Sequence, residues 1–225
     1  MNTYIVKRLI LKDWYLGSGM FVAALILGLV TLVAVAAAKA TMLAVILGVI
    51  VLVTILIGMG AMIMSSSVNE RRQQTLPFVM SLPISYLEYT TSKIVGSLLI
   101  FGALWLALLL SIIATILFTP WFPHGLIPFV VIMAVEMLVT TCLIAAVSVT
   151  TESQGWMIGV TQVGALGLNA VGFTIVRLPG IGPAMSGHIV QWNATTTSIL
   201  LVEFALIVIM IGTAFFVQSR KRDFI

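Results

Sequence analysis

Long apolar runs separated by short polar breaks dominate the chain. They cover residues 16–38, 42–64, 94–118, 126–149, 156–176 and 199–217. Each is close to, or longer than, the roughly 20 residues a helix needs to cross a hydrocarbon core. Inside such a core a segment must satisfy its own backbone donors and acceptors, and for a single apolar run the helix is the form that does so. The pattern therefore predicts an all-α polytopic membrane protein. It has six transmembrane helices and forms one domain over residues 1–225.

The breaks carry information of their own. Residues 1–15 are amphipathic: Ile5, Val6, Leu9 and Ile10 share a face, Lys7, Arg8 and Lys12 project polar heads, and Trp14 and Tyr15 suit the headgroup layer. This predicts an N-terminal interfacial helix leading into the first span. With basic residues before it and Ala36, Ala37 and Ala38 near its end, the first run imitates a secretory signal. It exceeds the usual signal core of about 7–15 residues, and further spans follow, so it is expected to stay uncleaved. Between the fifth and sixth runs, Pro179, Gly180, Gly182, Pro183 and Gly187 interrupt regular helix. Leu178, Ile181, Met185 and Trp192 are nonetheless apolar, which predicts a pair of short helices or a re-entrant dip at the outer surface.

The most polar break runs from Ser65 to Lys93. Pro77 and Pro83 divide it, and Leu76, Phe78, Val79, Leu82 and Tyr86 set apolar anchors among Glu70, Arg71, Arg72, Glu88 and Lys93. It reads as a short amphipathic helix followed by a bent turn at the membrane surface, offering a docking face to another protein.

Composition narrows the class. Hydrophobic residues make up 61% of the chain and charged residues 8%, against about 25% charged in an ordinary soluble domain. The net charge of +4 fits cations gathered at a membrane edge, and nucleic acid is not an expected partner. Lys7, Arg8, Lys12, Arg71, Arg72, Lys93, Arg220, Lys221 and Arg222 fall on one side of a six-span chain; Lys39 and Arg177 fall on the other. That excess places both termini and the 65–93 segment in the cytoplasm of a multi-pass cell-membrane protein, the inner membrane where there are two. The lone Cys142 lies in an apolar run and reads as a small packing residue.

Catalytic patterns are missing. The chain holds no G-x-x-x-x-G-K-[ST] phosphate loop, no H-E-x-x-H and no G-x-S-x-G. It is read as no enzyme in itself, with no cofactor or metal of its own. His124 and His188 stand alone in loops. Two carboxylates fall within spans: Glu136 near the middle of the fourth, and Glu203 in the outer part of the sixth, where it can reach the interface. A charge at mid-bilayer costs on the order of 3 kcal/mol. Glu136 therefore faces a substrate cavity, or is neutral and hydrogen-bonded to Thr140 or Gln162. The fifth run sets Gly155, Gly159, Gln162, Leu166, Asn169 and Phe173 on one stripe, which packs within the bundle or at the centre of a dimer. Met59, Met62 and Met64 offer an adaptable apolar lining.

Glu70-Arg71, Thr75-Leu76, Ser81-Leu82-Pro83-Ile84-Ser85, Glu88 and Lys93 together resemble the loop after the second span of ABC exporter permeases of the type-2 family. Gln74 stands where that family usually has glycine. The resemblance implies a membrane subunit that exports an amphipathic or hydrophobic substrate, such as a peptide or antibiotic. It implies a separate ATP-binding subunit that holds ATP and Mg, and a second permease copy or paralogue. Residues Asn69, Glu70, Arg71, Arg72, Thr75, Leu76, Pro77 and Phe78 would form the cytoplasmic coupling helix, and Glu136, Thr140, Gln162, Asn169 and Met59 the substrate path. The alternatives are a proton-coupled secondary transporter using Glu136 and a membrane-embedded enzyme.

Overall fold

The computed structural model describes residues 3–72, 86–151 and 153–220, with side chains for 7–64, 89–151 and 153–220. Its elements are α1 (Thr3–Ala37), α2 (Met42–Arg72), α3 (Tyr86–Phe118), α4 (Leu126–Thr151), α5 (Gln154–Arg177), a 3-10 turn (Pro183–Ser186) and α6 (Ala194–Arg220). All six α-helices are long and apolar enough to cross a membrane. No strand occurs among the described residues. Large apolar side chains such as Val33, Leu43, Leu110, Phe118, Leu201 and Val208 are exposed along the outside of the bundle, as a lipid-facing surface requires.

Helix bounds depart from the apolar runs in one consistent direction: the helices are longer. The first proline in the sequence is Pro77, so nothing halts α1 between its amphipathic start and its apolar body. The expected boundary at Leu16 does not occur. Helix α1 passes through it unbroken, with the Ser18 hydroxyl donating to the Tyr15 carbonyl at 2.8 Å. Its 35 residues rise about 52 Å at about 1.5 Å each, well beyond a core of about 30 Å. In the same way α2 continues from the second run to Arg72. Residues 67–72, expected to begin a separate surface helix, thus have a backbone continuous with α2, and the rest of that expected helix lies outside the described residues.

Helices α3 and α4 hold the centre. Helix α3 packs most extensively on α1, and α4 lies against α2, α3, α5 and α6. Phe101, Leu104 and Leu108 of α3 are completely buried against Ala24, Leu56, Met59, Met137 and Leu168, one or more residues from each of α1, α2, α4 and α5. The α1–α2 turn is tight: Lys39 (φ 53°) and Ala40 (φ 50°) both adopt the left-handed region. The Ala40 N–H donates to the Val35 carbonyl at 3.1 Å, closing the helix end.

The segment between α5 and α6 forms one 3-10 turn rather than a pair of helices, and it packs down onto the bundle. Ile181 is 3% exposed and sits with Ile132 of α4 and Ile175 of α5. The Gly125 N–H donates to the Gly187 carbonyl at 2.8 Å, and a Cβ on Gly125 would lie 1.9 Å from the Ala184 carbonyl oxygen. Only glycine permits that approach.

Candidate functional site

Two features of the bundle stand out, the first of them toward the end that carries Lys39 and His124. The first is an apolar cavity of about 290 Å³ between α1, α2, α3 and α4. Leu32, Leu52, Leu56, Trp105, Leu109 and Met133 are among its walls. Its size lies at the lower end of small-molecule sites. Trp105 is fixed by its indole N–H, which donates to the Ala134 carbonyl at 2.7 Å. The sequence pattern by itself gives this tryptophan no role beyond packing. Its signal was an indole deep in a span, since a buried indole N–H needs an acceptor.

The second feature is a facing pair of carboxylates. Helices α4 and α6 run in the same direction. Ile132 lies in one cluster with Ile199 and Leu200, while Val149 lies in another with Ala214. The Gln218 side-chain amide donates to the Val149 carbonyl further down. These contacts fix an offset of about 65–69 residues between the two helices, which puts Glu203, 67 residues after Glu136, level with it. Glu203 is 4% exposed, and neither of its oxygens has a hydrogen-bond partner. Glu136 is half-buried, and among the described residues neither Thr140 nor Gln162 hydrogen-bonds to it. The expectation that Glu203 reaches the interface is corrected: it points into the α4–α6 contact.

The remaining sequence-derived candidates scatter. Met59 is buried in the central cluster beside Met137. Thr140 is buried where α4 meets α5, and a Cβ on Gly164 would lie 2.4 Å from its methyl. Gln162 and Asn169 are exposed, and the Asn169 amide donates to its own helix at Ala165 O, 2.8 Å away. Gly155, Gly159, Leu166 and Phe173 on the same stripe are exposed too, so the stripe does not pack within this chain. Asn69, Glu70, Arg71 and Arg72 lie on the last turns of α2, but their side chains are outside the described residues. Thr75, Leu76, Pro77 and Phe78 are outside them altogether.

At the opposite end, Lys93 of α3 is only 3% exposed at its side chain and donates to Asp13 of α1 at 2.9 Å. This pair ties the start of α3 to α1 just after the polar segment. Asp13 was the residue the sequence reading passed over. Among protein families, curated proteins and solved structures, none matches the chain.

Proposed function

We propose that this chain is the membrane subunit of an ATP-driven exporter of the ABC type-2 kind. The observation that carries the reading is the ordered set Glu70-Arg71, Thr75-Leu76, Ser81-Leu82-Pro83-Ile84-Ser85 and Lys93 between the second and third of six spans. In this reading a separate subunit binds ATP and Mg and grips residues 69–78 from the cytoplasm. The mechanics of the bundle support it. Helix α2 is a single rod from Met42 to Arg72, and Lys93 clamps the start of α3 to Asp13 of α1. A push on the segment joining α2 and α3 would therefore move three helices together. Differential contact with the partner in its ATP-bound and ATP-free states supplies the driving energy.

The cavity supports a cargo with an apolar portion, since its walls come from the three helices the push would move and from α4. The exposed α5 stripe supports a second permease copy or paralogue. Gln162 and Asn169 are costly facing lipid, and Gly155 and Gly159 permit close approach of another helix. The test is replacement of Glu70 or Arg71 by alanine. Charges at a cytoplasmic surface, where this reading puts both residues, add little to stability but can fix a dock. ATP hydrolysis by the assembled complex should then cease to drive export while the six helices stay folded. Unchanged coupling in both variants would overturn the reading.

A further inference from the structure

Burial of Glu203 raises a question that an exporter's mechanics do not answer. Its two oxygens are sealed from solvent and have no hydrogen-bond donor, while another carboxylate stands level with it across the α4–α6 contact. A buried carboxylate without a donor or counter-charge is among the costliest arrangements a protein can hold, and two facing one another compound the cost. Nothing nearby offsets it. On α4 the only other titratable group is Cys142, six residues further along. Helix α3, which also touches α6, carries no titratable group between Lys93 and His124. Helix α6 has none but Glu203 before Arg220. At the end of α5 the Arg177 guanidinium is stacked 3.8 Å over the Phe173 ring, and in the segment between α5 and α6 His188 lies six residues before α6 begins at Ala194.

A metal ion fits poorly. Calcium asks for about 6–8 oxygens, and no group of three or more His, Cys, Asp or Glu able to hold a metal occurs among the described residues. A bulky ammonium cargo fits no better, because Glu203 is closed off. A proton needs only the two groups present.

We propose that Glu136 and Glu203 form an intramembrane proton-binding pair. One H⁺ binds a Glu203 carboxylate oxygen, and the resulting O–H donates to the Glu136 carboxylate. The bound proton removes one negative charge and gives the orphaned Glu203 carboxyl a partner in a single hydrogen bond. Release of that proton leaves two like charges facing one another and drives α4 and α6 apart. The proton therefore belongs to the pair, and its occupancy sets whether the two helices are closed together. This site does not rest on the exporter reading, since the two carboxylates meet whatever moves the helices.

The full chain, reconstituted in lipid nanodiscs without any partner, tests it by infrared difference spectroscopy during a pH titration. The expected result is a protonated-carboxyl carbonyl band at neutral pH that shifts in heavy water. E203Q should abolish it, and E136Q should move its titration midpoint downward by about one pH unit, a tenfold loss of proton affinity. Absence of the band from the wild-type chain overturns the proposal, whether or not the variants fold. So does a band that survives E203Q, a midpoint untouched by E136Q, or loss of the band on adding sodium at constant pH, which would mark a metal-cation site.

Discussion

Replacing either member of the Asp13–Lys93 pair should destabilise the bundle out of proportion to one surface ion pair. An exposed pair contributes about 0–1 kcal/mol. This one differs in its burial: the side chains are 3% and 15% exposed, and the N–O distance is 2.9 Å. Removing one partner of a buried pair costs about 3–5 kcal/mol, because the remaining charge stays in a poor solvent. Lys93 is the more deeply buried of the two, so Asp13→Asn, which removes the charge opposite the ammonium, should cost more than Lys93→Met. The partly exposed Asp13 can still reach water and puts Lys93→Met near the lower bound. At about 2–4 °C per kcal/mol for a chain of this length, a cost of about 3 kcal/mol lowers the melting temperature by about 6–12 °C. Tryptophan fluorescence during thermal unfolding in detergent reads this, with the Trp14 ring, next in the chain to Asp13, tilted against Phe21 at a centroid distance of 5.6 Å. The double variant D13N/K93M should recover most of the loss, since two neutral groups leave no buried charge, and the cycle of four proteins gives the coupling directly. Single variants that each melt within about 2 °C of the parent, or losses that add without coupling, would refute the reasoning.

Three further outcomes follow from the packing. Gly164→Ala places a methyl 2.4 Å from the Thr140 methyl and should cost about 1–3 kcal/mol by overpacking, with Thr140→Ser restoring most of it in thermal unfolding. Ala40→Gly removes the penalty of a left-handed alanine at φ 50° and should stabilise by about 0.5–1 kcal/mol after the entropy of glycine is subtracted; unchanged or lower stability would contradict the strain. Asn169→Cys, in a Cys142→Ser background, should form a dimer-spanning disulfide under oxidation in native membranes, whereas Leu201→Cys on the exposed face of α6 should not.

Most of the fold was legible because lipid imposes a simple demand: an uninterrupted apolar run of sufficient length. The helix ends were not, because polarity is a poor guide to where a helix stops outside the core. Residues 194–198, Ala-Thr-Thr-Thr-Ser, read as loop by polarity but are the first turns of α6, where the Thr197 hydroxyl donates to the Asn193 carbonyl at 3.2 Å. That error in the start of the span put Glu203 too near the membrane surface and hid its alignment with Glu136. Each carboxylate was visible by itself. Their meeting depends on the register of two parallel helices 67 residues apart, and nothing local in either helix records it. The Asp13–Lys93 pair was hidden for a similar reason, as its members are 80 positions apart in segments that both read as membrane surface. The α5 stripe was legible as a pattern, while its exposure required the packing of every other helix.

The account stands most directly on whether an ATP-hydrolysing partner engages the polar segment. The decisive measurement is site-specific photo-crosslinking from position 74, between Arg72 and Thr75, in native membranes, with the adduct identified by mass spectrometry. The account predicts a product with a protein bearing a nucleotide-binding phosphate loop, whose yield changes when ATP is added and falls in E70A and R71A. Robust crosslinking that yields only lipid or this chain itself, or labelling of position 74 from the extracellular side, would contradict it.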